Sequence, residues 1–140
     1  MSRGFSLSGL MRVRGIQERA AAQRLSRAVI DAEQAGARER HARAALDAAG
    51  SEAVDVRTLA AIAAARVAAR RQLSEFESLS QLQAEAVSDA RDAHREARRE
   101  VRALDRLADA HASREHAEFL RAEQIEIDEI AGRSSRGDAT

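Results

Sequence analysis

The chain has 140 residues, room for about one domain, and contains no Pro, Cys, Trp or Tyr and only three Phe. Its 23 basic residues are all Arg and balance 23 acids at a net charge of +0, which removes the bulk attraction to phosphate that nucleic-acid binders depend on and leaves no lysine for a P-loop, a Schiff base or a general base. With 33% charged residues and 33 alanines, an aromatic-rich globular core and a disulfide or thiolate-metal framework are excluded, and the mix is that of long helices.

Residues 1–7 read as a lead-in, with Ser8 as the candidate cap of a first helix over 8–49. Its apolar stripe starts on Leu7, Leu10, Val13 and Ile16 and continues through Ala21, Leu25, Ala28, Ala32, Ala35, Glu39, Ala42, Leu46 and Ala49. Gly15 and Gly36 each cost this helix about 1 kcal/mol relative to Ala, and Gly36 lies beside the stripe, where close packing would account for it. Gly50 and Ser51 interrupt the pattern inside a hairpin turn over 50–57.

A second helix is expected over 58–132, capped by Asp55 or Thr58 and stopped by Gly132 in the C′ position, with 133–140 as a disordered tail. Its stripe alternates steps of three and four from Leu59 and Ile62 through Arg66, Leu73, Phe76, Val87 and His94 to Leu104 and His111. So sustained a heptad pattern argues for a coiled coil.

Two helices joined by a short loop lie antiparallel. A turn centred near 52–53 sets Leu46 against Leu59, Ala42 against Ile62, and Glu39 against Arg66 as an opposite-charge register pair. The expected fold is therefore all-α: two long helices in an antiparallel coiled-coil hairpin of unequal arms, the second helix overhanging. In this register the last third of the second helix is bare, although it holds Val101, Leu104, Leu107, Phe119, Leu120, Ile125, Ile127 and Ile130. An exposed apolar stripe of that kind calls for a protein partner. Glu123, Glu126, Asp128 and Glu129 crowd the expected last turns, where the helix dipole disfavours carboxylates.

No catalytic, cofactor or metal site is expected. The four histidines, His41, His94, His111 and His116, are dispersed. His94 and His111 fall on the seam and read as hydrogen-bonded seam residues, while five positions between His111 and His116 turn their rings apart on a helix. Paired carboxylates lack a concave pocket in a two-helix rod. Arg clusters such as Arg66, Arg70, Arg71 and Arg95, Arg98, Arg99, Arg102 are interleaved with Glu96 and Glu100 and read as salt-bridged surface, not as a nucleic-acid interface. No run approaches the ~18 apolar residues of a membrane span, and no signal-peptide core follows Met1, so a cytoplasmic protein is expected.

The motifs at the two ends carry a resemblance. Phe5-Ser6-Leu7, Leu10 and Val13-Arg14 at the start, Ala103-Leu104-Asp105-Arg106-Leu107 late in the second helix, and Glu123-Gln124 followed by Asp128-Glu129-Ile130-Ala131 near the end resemble the FliJ family, small coiled-coil components of the bacterial flagellar type III export apparatus. Relatives of that family serve virulence-type secretion systems. The resemblance implies a stalk similar to the central subunit of rotary ATPases, whose end bearing both termini enters the hexameric export ATPase and promotes its assembly and activity. By the same resemblance the hairpin tip meets the cytoplasmic domain of the membrane export gate, and the protein escorts export chaperones. Membrane association would be peripheral, on the cytoplasmic side and through partners only.

Carried over to this chain, the ATPase-binding end would comprise Leu7, Leu10, Val13, Arg14, Leu104, Leu107, Phe119, Glu123, Asp128, Glu129 and Ile130, and the gate-facing tip Leu46, Val54, Val56, Leu59 and Ile62. Relatives often place aromatic residues at the tip, where this chain has Ala60, Ala61, Ala63 and Ala64. The alternatives are a self-associating structural coiled coil and a virulence-type secretion stalk.

Overall fold

A computed structural model describes residues 2–49 and 55–138, with side chains from residue 6 onward. It contains two α-helices and, among the described residues, no strand: α1, Ser2–Ala48, and α2, Val56–Gly137. The fold is an all-α helical hairpin with arms of 47 and 82 residues. A chain with no proline and this much Ala, Arg, Glu and Leu offers little to stop a helix, and both helices run further than the caps in the sequence suggest.

Helix α1 starts six residues ahead of Ser8, which is an interior residue and not a cap. At the other end, α2 passes straight through Gly132, which has no positive φ, and residues 133–137 continue the helix instead of belonging to a disordered tail. Arg136 therefore occupies the last turn, and Glu123, Glu126, Asp128 and Glu129 lie upstream of it, outside the short reach of the dipole at the C-terminus. Of the two candidate caps for α2, Asp55 takes the role. Its Oδ1 accepts hydrogen bonds from the Thr58 backbone N–H and the Thr58 hydroxyl, both at 2.7 Å. These bonds hold the Asp55 carboxyl below its ordinary value of 3.8, the backbone bond contributing most.

The contacts form two compact units, one of residues 16–98 and one of residues 1–15 with 99–140. In the first, the seam of α2 lies where the heptads put it: Ile62, Arg66, Ala69, Leu73, Phe76, Ser80, Gln83, Val87, Ala90, His94 and Ala97 are all half-buried. On α1 the facing stripe is mostly alanine, and Ala21 and Ala35, 4% and 3% exposed, are its fully buried members. Small side chains there let two helix axes approach closely. The expected seam ends do not hold, since Ala49 and Leu59 are exposed.

The register differs from the expected one by roughly two to four helical turns. Glu39 does not face Arg66. It accepts from Arg43 one turn along its own helix at 3.1 Å, and Arg43 crosses to Glu77 at 3.0 Å. Arg66 instead reaches the end of α1, where its Nη2 donates to the Ala49 carbonyl at 3.3 Å. Helix α1 has no basic residue in its own last turn, so Arg66 supplies the cation that a helix C-terminus favours. Further along, Glu18 Oε1 lies 3.0 Å from His94 Nε2, a half-buried pair that accounts for a histidine in the seam.

The shift has a cause in the turn. The first turns of α2 run past the end of α1 before packing begins, leaving Val56 82% and Leu59 56% exposed. Gly36 has no close-packing role either. A Cβ there would meet only the mobile end of Arg40, at 3.3 Å, and at Gly15 it would meet nothing.

In the second unit α1 turns a different face inward from the one its large residues suggest. Leu7, Met11 and Arg14 are half-buried, whereas Leu10 and Val13 are 44% and 49% exposed. Arg14 Nη1 pairs with Glu100 Oε2 at 2.7 Å. Val101, Leu104, Ala108 and His111 keep the seam of α2 half-buried, so the stretch without a partner begins later than a third of the way from the end. From Glu118 to Asp138 every residue is exposed.

Candidate docking surfaces

The residues assigned to the ATPase-binding end all belong to the second unit, and the structure divides them into two sets. Leu7, Arg14 and Leu104 serve the hairpin itself, half-buried between α1 and α2, with Arg14 held by Glu100. Leu10, Val13, Leu107, Phe119, Glu123, Asp128, Glu129 and Ile130 are exposed. Leu107 and Leu7 line a surface groove with His111, Arg114, Glu115 and Glu118, at the level where α1 begins.

The exposed set is not uniform. Beyond Glu118 the large side chains Phe119, Leu120, Ile125, Ile127 and Ile130 have nothing packed over them among the described residues, each keeping about half or more of its surface in water. Two of the acids around them are tied down locally. Gln124 donates to Asp128 at 3.0 Å, and Arg133 lies 3.6 Å from Glu129. Helical periodicity adds a further point. Continuing the seam that faces α1 beyond His111 gives Glu115, Glu118, Ala122, Ile125 and Glu129, a mostly acidic line. Ile130 falls about 110° around the helix from it, and Leu120 and Ile127 lie nearly opposite, about 170–190° away. Leu120, Ile127 and Ile130 thus sit on a different face from the one that packs against α1, and Ile125 alone of the large residues continues the seam.

The tip residues belong to the first unit. Leu46 and Ile62 are half-buried in the seam, Val56 and Leu59 are exposed, and Val54 lies outside the described residues. The register pair Glu39 and Arg66 is not a pair. In its place the structure uses Arg43–Glu77, Glu18–His94 and Arg14–Glu100. Two of these were within reach of the sequence, because running the alanine stripe of α1 backwards from Ala21 in steps of three and four gives Glu18, Arg14, Met11 and Leu7. The aliphatic Leu10, Val13 and Ile16 draw attention to the wrong face.

His111 Nε2 lies 3.3 Å from Glu115, one turn along on the same helix. Among the described residues, no group of three or more His, Asp or Glu side chains is placed to hold a metal, and no helix is long and apolar enough to cross a membrane. Glu96 and Glu100 point to the side of α2 away from Arg95, Arg98 and Arg102 by helical phase, and Glu100 is engaged by Arg14. The chain matches no protein-family model, no curated protein and no solved structure.

Proposed function

We propose that this chain is a stalk component of a bacterial flagellar protein-export apparatus, similar in role to FliJ. Its C-terminal segment docks on the hexameric export ATPase and promotes ring assembly and hydrolysis. The observation that carries the reading is the bare stretch of α2 beyond Glu118, in which Phe119, Leu120, Ile127 and Ile130 are exposed with nothing packed over them among the described residues. Isolated large apolar residues on a charged helix are stabilised only when a partner covers them, and a helix laid into an apolar groove is a common solution. The acids Glu123, Asp128 and Glu129 set the chemistry of the rim, which is basic on the partner.

In the same reading Val56 and Leu59, exposed at the start of α2, meet the export gate, and the protein sits on the cytoplasmic side of the membrane through its partners while escorting export chaperones. It has no catalytic role of its own. Co-purification with the export ATPase, and the hydrolysis rate with and without this chain, test the proposal. Stimulation that disappears on deleting residues 119–140 is expected. No stimulation, together with binding that survives the deletion, overturns it.

A further inference from the structure

The outer face of α2 in the second unit carries a line of residues at steps of four and three from Arg102 to Ile130, and every member is exposed. It starts basic, with Arg102 and Arg106, is polar in the middle at Asp109, Ser113 and His116, and ends apolar and acidic with Leu120, Glu123, Ile127 and Ile130. The line lies alternately one and two helical positions on from the seam that faces α1, on the outer side of the helix, so pairing within the hairpin leaves it open. Its alternation of three and four is the spacing that lets two helices pack along their length.

We propose that this line pairs with the same line of a second copy, antiparallel and centred between Ser113 and His116. The charge order selects both the occupant and the direction. A parallel pairing in register sets Glu123 against Glu123 and Arg106 against Arg106. The antiparallel one sets Glu123 of each copy against Arg106 of the other, and Ile127 against the aliphatic stem of Arg102, whose charged end stays in water. A twofold contact requires that the surface be complementary to itself under reversal, and the basic start and acidic end of this line meet that condition. Arg106 Nε donates to the Arg102 carbonyl of its own helix at 3.3 Å. The same register sets Leu120 against Asp109, and it covers Leu120 and Ile127, part of the segment assigned above to the ATPase. It is tested on the pure chain, so it stands or falls separately from that assignment.

The experiment is sedimentation of the full chain over a range of concentrations at low and high salt. A salt-weakened monomer–dimer equilibrium is expected, and a chain that stays monomeric at about 100 μM in low salt overturns the proposal. Glu123→Arg and Arg106→Glu should each weaken the dimer roughly fivefold or more. Combining them in one chain should restore it, since both reciprocal contacts are then reversed together. Helicity by circular dichroism guards against unfolding, as all these positions are exposed. A combined variant no tighter than either single one counts against the pairing. Because the chain has no native cysteine, Arg106→Cys and Glu123→Cys chains mixed in equal amounts report the direction. Disulfides between unlike chains are expected, and disulfides only between like chains overturn it.

Discussion

Two stretches of the same helix behave in opposite ways. Between Ile62 and His111, α2 has a half-buried residue at every third or fourth position, and what it meets in residues 16–98 is largely alanine. Between Glu118 and Asp138 every residue is exposed, although this stretch holds Phe119, Leu120, Ile125, Ile127 and Ile130. Size of side chain and depth of burial are therefore uncoupled here. The paired stretch is held by close approach of small residues, Ala21 and Ala35 above all, with ion pairs at its margins. The bare stretch is held by its own backbone hydrogen bonds and by residues that favour helix, and its large side chains add nothing to the hairpin. Large apolar groups that do not stabilise their own fold are available for another surface.

The strongest way to break this comparison is to crowd the close contact. Ala35→Leu adds three carbons at a site 3% exposed and should destabilise the hairpin by about 1–3 kcal/mol, read as a fall in the midpoint of thermal unfolding. An unchanged midpoint would mean that close approach at Ala35 is not what holds the arms.

A smaller effect is expected where α2 begins. The folded Asp55 carboxyl titrates below its ordinary 3.8 because Thr58 donates two hydrogen bonds to the ionised form. A carboxyl with a lowered folded value stabilises the fold when ionised. Its contribution is fully present above pH 3.8 and is lost as pH falls through the folded value. Asp55→Ala should lower the melting temperature near neutral pH and lower it less near pH 2. Equal losses at both pH values would show that the cap does not depend on the charge.

The smallest effect sharpens the comparison from the other side. Ile127→Ser removes a large apolar group from the bare stretch, yet stability should stay within about 0.5 kcal/mol of the parent, as for surface positions generally. Binding to the ATPase should drop, measured by co-purification of the two proteins. A marked loss of stability would mean that this segment is covered within its own chain after all.

Much of the candidate surface was legible in the residues. The bare run at the C-terminus follows from the imbalance in helix length, and Asp55 was one of two caps the sequence offered. Two things were not legible. The inward face of α1 near its start is obscured because Leu10 and Val13 are aliphatic and Arg14 is charged, so apolarity points to the wrong face. In the structure Arg14 faces inward, as the stripe run back from Ala21 places it, and finds Glu100 at 2.7 Å, a partner 86 positions away whose identity depends on the register. The end of α2 lies beyond Gly132, although a glycine there is a common stop. A glycine ends a helix by adopting a left-handed conformation, and Gly132 does not adopt one.

What the sequence by itself determined is the helical state of both arms and the seam of α2. Alanine, arginine and glutamate without proline leave no competing structure, and a stripe at heptad spacing can bury itself only along one line. What the tertiary structure decided is the register. A heptad seam maps onto itself when one helix slides by seven residues, so periodicity alone cannot tell the register that sets Glu39 against Arg66 from the one that sets Glu18 against His94. That choice was made by the first turns of α2 running past the end of α1, by Arg66 reaching the Ala49 carbonyl, and by ion pairs that exist in only one alignment.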